Sequence, residues 1–238
     1  MHHSTVVVVG ASSGMGLAAA RRFWERGATV WMVARDPERL RDAAAGIGHE
    51  RLQALSADVS GEEGRARILA AVDRLDHLVF TAADLVYKPS RDLDDAEVMR
   101  AVRSKVVGPY LLSGAIAGRM PAAGSITFVS GVAAERPSPG GSVTGMVNGA
   151  INAMVHGLAL ELAPIRVNAV SPGWVETPFW KRVASDERRE SLFAAMREKI
   201  PARRIVTVED VAQMIELAAT NRGVSGTTLY VDGGQRLV

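Results

Sequence analysis

The chain of 238 residues contains no cysteine. Disulfides, thiolate nucleophiles and Cys-ligated metal are thereby excluded. Histidine is scarce: His2, His3, His49, His77 and His156 are the full set. None falls in an H-x-x-x-H or H-E-x-x-H spacing, so no metal site is expected. Lysine is confined to Lys88, Lys105, Lys181 and Lys199, and tyrosine to Tyr87, Tyr110 and Tyr230. The 28 basic and 26 acidic residues nearly cancel, leaving a net charge of +2. That balance argues against nucleic acid or an anionic membrane as partner, although the sequence pI is about 9.2. The start of the chain has no basic segment leading into a long apolar run. No apolar stretch reads as long enough to span a bilayer. The expectation is a cytoplasmic protein without membrane contact.

What is present is regular. Hydrophobic residues make up 47% and charged residues 23%, which suits one globular core. Short apolar, β-branched runs cover Thr5–Val9, Thr29–Val33, Leu52–Ala57, His77–Thr81, Ser125–Ser130, Arg166–Val170 and Thr227–Val231. Helical patterns lie between them, over Leu17–Arg26, Pro37–Ala45, Glu62–Val72, Asp95–Met120, Ser142–Leu162 and Val208–Ala219. Apolar runs without alternation suit strands covered on both faces. The alternation predicts a single α/β domain over residues 1–238, a doubly wound, parallel, seven-stranded sheet with right-handed crossovers. Gly27 ends the first helix. Asp36-Pro37 and Thr207-Val-Glu-Asp210 begin later ones. The irregular stretch Pro172–Arg204 contains a short helix around Glu187–Lys199, and about 174–204 reads as a lid over the site.

One loop carries the first chemical signal. Gly10-Ala-Ser-Ser-Gly14-Met-Gly16 follows a strand and opens a helix. Gly10 permits the tight turn, Gly14 a close backbone approach to a pyrophosphate, and Gly16 close packing of helix on strand. The spacing G-x-x-x-G-x-G differs from the commoner G-x-G-x-x-G. The loop residues Gly10, Ser12, Ser13, Gly14, Met15 and Gly16 make a dinucleotide cradle in a Rossmann fold. The second strand ends in Met32-Val-Ala-Arg35-Asp36. An arginine there accommodates a 2′-phosphate, with Ser12 and Ser13 adding hydroxyls, which favours NADP(H) over NAD(H). Asp36 precedes Pro37 and reads as the cap of the next helix. Asp58 and Val59 close the third strand, where they meet the adenine edge.

With these pieces in view, the chain resembles the classical short-chain dehydrogenase/reductase family over nearly its whole length. The resemblance rests on Gly10–Gly16, Asp58-Val59, Leu78-Val-Phe-Thr-Ala-Ala83 and Gly124-Ser-Ile-Thr-Phe-Val-Ser130. It continues through Leu158-Ala-Leu-Glu-Leu162, Ile165-Arg-Val-Asn-Ala-Val-Ser-Pro-Gly173 and Val231-Asp-Gly-Gly234. It implies that Thr81, Ala82 and Ala83 line the cofactor. It implies likewise that Pro172, Gly173, Val175 and Thr177 grip its carboxamide and phosphates. It also implies a homodimer or homotetramer, built on the helices Asp95–Met120 and Ser142–Leu162.

The family works with Asn, Ser, Tyr and Lys, the last two as Tyr-x-x-x-Lys. Counting back from the helix through Leu162 sets Thr144 at the Tyr position and Asn148 at the Lys position. The Ser position falls on Gly131, beside Ser130, and the Asn position on Lys105. The chain has no lysine between Lys105 and Lys181 and no tyrosine between Tyr110 and Tyr230, so no gap restores the pair. The aliphatic hydroxyl of Thr144 cannot act as an acid near neutral pH. Losing general acid catalysis typically costs about 10²–10⁴-fold.

Candidate replacements are therefore Lys105, Ser130, Thr144, Asn148 and Tyr87. Lys105 lies on the inward stripe Val98, Val102, Lys105, Pro109. Its cation reaches toward the nicotinamide ribose, and burial lowers its pKa into the range of an acid. Tyr87 and Lys88 follow the fourth strand on a loop facing the substrate. Glu135 and Arg136 stand ready for a polar substrate, and His156 reads as packing or interface. Trp174, Phe179, Trp180, Leu192, Phe193 and Met196 form an apolar lid, which implies a small-molecule substrate with apolar surface. The leading expectation is an NADP(H)-dependent oxidoreductase, interconverting carbonyl and alcohol, with a non-standard active site. The alternatives are a non-redox isomerase, lyase or cyclase on the same scaffold, and a catalytically silent NADP(H)-binding protein.

Overall fold

The computed structural model describes residues 1–180 and 185–238. Lys181, and residues 181–184 of the expected lid, lie outside the described residues. The strands are β1 Thr5–Val9, β2 Thr29–Ala34, β3 Leu52–Ser56, β4 His77–Phe80, β5 Ser125–Val129, β6 Arg166–Pro172 and β7 Thr228–Val231. They form one sheet in the order β3-β2-β1-β4-β5-β6-β7. Every pairing is parallel. The order turns back between β1 and β4. That reversal opens a crevice at the C-terminal strand ends.

Helices α1 Gly14–Glu25, α2 Pro37–Ala45 and α3 Glu62–Ala71 connect the first strands. Next come α4 Asp95–Val102, α5 Gly108–Ile116, α6 Ser142–Glu161, α7 Asp186–Lys199 and α8 Val208–Thr220. Two apolar clusters sandwich the sheet. One joins Val6, Val8 and Met32 to Phe23 of α1 and Ile215 of α8. The other joins Val7, Leu78 and Phe128 to Ile68, Leu112 and Ile151. Alternate residues of β1 thus enter opposite clusters, as the period of a strand buried on both faces requires. Each such side chain contributes about 1.5–3 kcal/mol by leaving water. The helix starts expected from sequence carry real caps. Asp36 Oδ1 accepts from the Glu38 and Arg39 N–H groups, and Thr207 with Asp210 closes a capping box.

Two expectations need correction. The pattern over Asp95–Met120 is not one helix. Between α4 and α5 the turn Arg103–Val107 is a π-helix, in which the Gly108 N–H reaches the Arg103 carbonyl. Pro109 has no N–H to continue the α ladder. Gly108 is also pressed onto the loop after β3, where a Cβ would lie 2.3 Å from the Val59 carbonyl oxygen. Lys105 and Pro109 of the expected inward stripe are buried all the same, and Ser104 is buried beside them. Second, α6, with 20 residues, is long and apolar enough by length and composition alone to cross a bilayer. Here it packs into the fold through Val147, Ile151, Val155 and Leu158, which are buried.

Candidate active site

The C-terminal ends of β1, β2, β4, β5 and β6 open onto a cavity of about 890 Å³. Its floor is the glycine loop. Thr81 Oγ1 donates to the carbonyls of Val9 at 3.0 Å and Gly10 at 3.2 Å, tying the tip of β4 to that loop. Gly10 has φ +96°, and a Cβ there would meet the Ala82 nitrogen at 2.5 Å. At Gly16 a Cβ would meet the Gly10 carbonyl oxygen at 2.2 Å. Any side chain at either position would push the loop out of shape. Gly14 has φ +54°, and a Cβ there would lie 3.4 Å from the Thr177 side chain, so the segment after β6 closes over the loop. The first turn of α1 carries no acidic residue and no side-chain cap, leaving its N–H groups free for an anion.

The segment after β6 is held by the residues that follow β7. Gln235 Oε1 accepts from the Trp174 N–H at 2.8 Å. Asp232, nearly buried, accepts from the Gly234 and Arg236 backbone and pairs with the Arg236 guanidinium at 2.8 Å. These hydrogen bonds hold the Asp232 carboxyl below its usual range against the opposing effect of burial.

Lys105 sits in the π turn and is 6% exposed. Its Nζ donates to the Ser130 carbonyl at 3.2 Å. Burial alone lowers its pKa to about 7. Ser130 Oγ in turn donates to the Asn148 carbonyl at 3.0 Å. Asn148 Nδ2 donates to the Gly131 carbonyl at 3.3 Å, while its buried Oδ1 has no protein partner. Thr144 Oγ1 donates to the Val86 carbonyl at 3.2 Å. Lys105, Ser130, Thr144 and Asn148, drawn from three elements, thus meet at one wall of the cavity.

Tyr87 reaches the same wall from the loop after β4. Its phenol interacts with the Thr144 side chain. Burial raises the phenol pKa, and the Thr144 contact partly opposes that rise. The residue as a whole is still 42% exposed, so only one end is turned inward. Its ring lies 5.5 Å from Phe179. Trp174, Trp180 and Phe193 form an edge-on cluster, with Trp180 4.6 Å from Trp174 and 5.0 Å from Phe193. Trp180 Nε1 donates to the Val175 carbonyl.

The remaining expected residues divide. Gly10, Ser12, Ser13, Gly14, Met15, Gly16, Arg35, Asp58, Val59, Thr81, Ala82, Ala83, Pro172, Gly173, Val175 and Thr177 all line this cavity. Arg136 lines it as well, but Glu135 does not. The Glu135 carboxylate is engaged by Asn152 and by the Tyr230 hydroxyl at 2.8 Å. Lys88 is paired with Glu97 at 2.7 Å. His156 is exposed on α6 rather than packed. Asp84 and Ser104 were not foreseen. Asp84 follows the quoted Ala83 directly, and its N–H donates to Ser104 Oγ at 3.0 Å. Among the described residues no cluster could hold a metal ion.

A family model described as enoyl-(acyl carrier protein) reductase matches residues 10–236. The short-chain dehydrogenase/reductase ucsE of an Acremonium species is 31% identical, over 96% of this chain and 94% of its own length. The MalC Reductase/Diels-Alderase structure from Malbranchea aurantiaca superimposes with a TM-score of 0.93 at 28% identity, covering 100% of this chain and 98% of that one. A small-chain dehydrogenase solved in complex with NADPH superimposes with a TM-score of 0.86 at 26% identity, covering 99% and 100%.

Proposed function

Because the chain belongs to the short-chain dehydrogenase/reductase family, we propose that it is an NADP(H)-dependent oxidoreductase that interconverts a carbonyl and an alcohol with an atypical proton donor. The single observation that carries this reading is Lys105, a buried amine on the cavity wall whose hydrogen-bond partner is the Ser130 carbonyl. Three features fit the cofactor. Gly10 and Gly16 leave no room for a Cβ, the start of α1 is free for a diphosphate, and Arg35 lines the far end. The NADPH complex of a structural relative supports the same choice.

When bound, NADPH supplies a hydride to a carbonyl carbon. The chain's own work is positioning and proton transfer. Lys105 Nζ gives a proton to the carbonyl oxygen as charge develops there. Burial brings its pKa down to about 7, near the operating pH, which is the range that suits a general acid. The Ser130 carbonyl holds the amine in place, and Asn148 Oδ1 offers an acceptor for a ribose or substrate hydroxyl. Tyr87, seated on Thr144, walls the pocket and orients the substrate oxygen. Trp174, Phe179, Trp180 and Leu192 line it as an apolar lid, with Phe193 packed behind them, and this selects a substrate with apolar surface. Met99, Tyr110, Leu111, Met146 and Leu160 are exposed on α4, α5 and α6 and provide the face of a homo-oligomer.

A second reading has its own observation. The protein described as MalC Reductase/Diels-Alderase has the same fold at high overlap. Here α6 presents Thr144 and Asn148, not a phenol and an amine, to an aromatic-walled cavity. A non-redox ring closure needs shape more than a proton donor.

NADPH oxidation against a panel of carbonyl compounds, for wild type and Lys105→Ala, separates the two. Turnover that depends on Lys105 supports the first. Tight NADPH binding without turnover of any carbonyl supports the second. Turnover untouched by Lys105→Ala removes Lys105 as the acid.

A further inference from the structure

Asp84 stands at the cofactor end of the main cavity. Arg35 Nη1 approaches its Oδ2 at 3.4 Å, and Arg100 Nε approaches the same oxygen at 3.7 Å. Arg35 follows β2 and Arg100 lies in the last turn of α4, so two separate elements each bring a guanidinium to one carboxylate oxygen. The Asp84 backbone is fixed by its bond to Ser104, the residue before Lys105. An anionic oxygen between guanidinium groups is what a phosphate oxygen would provide in the same place.

We propose that Asp84 is a built-in competitor for the adenosine 2′-phosphate: a specificity-determining carboxylate that holds Arg35 until the phosphate displaces it. This rests on the NADP(H) reading above. Arg100 gives the displaced carboxylate a remaining partner, so displacement does not strand a charge. Two anions that share one guanidinium repel each other, so Asp84 lowers affinity for a 2′-phosphorylated nucleotide. The size of the effect follows from exposure. The Arg35 side chain is 60% exposed and the Asp84 side chain 27%. Both contacts are longer than an ideal charge-assisted hydrogen bond. Solvent and salt therefore screen them, and a modest fold-change is expected in place of an all-or-none switch. The opposite role, in which Asp84 orients Arg35 for the phosphate, predicts the opposite sign.

Calorimetric titration of the whole protein with 2′,5′-ADP and with ADP decides between them. Wild type, Asp84→Asn, Asp84→Ser, Arg35→Ala and the Asp84→Asn/Arg35→Ala double variant are compared at low and at physiological salt. Asp84→Asn and Asp84→Ser should each tighten 2′,5′-ADP by about threefold to tenfold at low salt, and by less as salt rises. ADP should change less than about twofold, because it lacks the competing phosphate. The gain should vanish in the double variant. Unchanged or weaker 2′,5′-ADP binding in both Asp84 variants overturns the proposal. If Arg35→Ala weakens 2′,5′-ADP while the Asp84 variants do not tighten it, the cofactor reading stands and the competitor does not. If wild type shows no preference for 2′,5′-ADP and Arg35→Ala changes nothing, both fall.

Discussion

The N-terminal and C-terminal edges of the sheet each bury an ionisable side chain, and they use the same physics to opposite ends. At the N-terminal edge His77 begins β4. Its Nδ1 meets Ser125 Oγ at 2.8 Å, and that hydroxyl donates onward to the Ala219 carbonyl. Arg166 beside His77 donates to the carbonyls of Ala218, Asn221 and Val224 at the end of α8. Burial, the largest effect, lowers the His77 pKa to about 4. At the C-terminal edge burial lowers the Lys105 pKa to about 7. His77 is buried against Ser125 and lies outside the lining of the 890 Å³ cavity. Lys105 has a carbonyl on one side and a cavity on the other. The lesson is that a shifted pKa is not by itself a sign of chemistry. What separates the two groups is access to a space where a substrate fits.

The comparison can be broken most forcefully at Lys105. Lys105→Met should lower carbonyl reduction by about 10²–10⁴-fold in kcat. In wild type, kcat should be flat below pH 7 and fall above it, as the amine loses its proton. A steady-state pH profile that keeps its break in Lys105→Met would assign the break to another group. A replacement at the N-terminal edge, such as His77→Asn, should leave kcat within about twofold, since it touches no reacting atom.

Stability tests the same contrast. The folded His77 pKa lies below the 6.5 of the free side chain. The unfolded chain therefore binds the extra proton first, and stability falls as pH drops from 6.5 toward 4. The loss amounts to roughly 2–3 kcal/mol. Urea titrations across that window should show it, and His77→Asn should flatten this part of the curve. An equally steep fall in the variant would assign it to carboxylates.

Lys105 makes the contrast sharper. Its folded pKa lies below the usual 10.5 of a lysine. Keeping it buried costs stability at every pH below 10.5, growing until pH 7. Lys105→Met should therefore stabilise the fold by about 1–3 kcal/mol at pH 7, read as a rise in Tm. The gain is reduced by the hydrogen bond lost at Ser130. A destabilised variant would mean that the amine holds the π turn together.

The smallest effect concerns Tyr87. Tyr87→Phe keeps the ring against Phe179 but removes the hydroxyl at Thr144. A rise of about threefold to tenfold in KM with kcat unchanged fits a wall that orients substrate. A loss in kcat comparable to that of Lys105→Met would move the proton donor to the phenol.

Much of this site is legible along the chain. The glycine loop, Arg35 and the segment from Pro172 to Thr177 each sit at the end of a strand, and a strand end can be read from a short apolar run. Thr144 and Asn148 are four residues apart on one helix, so their shared face follows from helical spacing. Lys105 is a harder case. An unbroken α pattern suggested its inward direction, while the turn that carries it is a π-helix created by Gly108 against Val59 and by Pro109. Asp84, Ser104 and Gln235 carry no local signal at all, because the partners that place them at the site lie 16 to 61 residues away.

Sequence alone was enough for the parallel sheet, the order of the strand-end loops that line the cavity, and the absence of a phenol–lysine pair on α6. These depend on local period, glycine spacing and residue counts, which are properties of neighbours along the chain. Three things needed the folded chain: that Tyr87 stands against Thr144, that Asp84 lies between Arg35 and Arg100, and that the Lys105 amine meets the Ser130 carbonyl. Each is a meeting of segments far apart in sequence. Burial and Coulomb interaction depend on distance in space, and only the folded chain sets that distance.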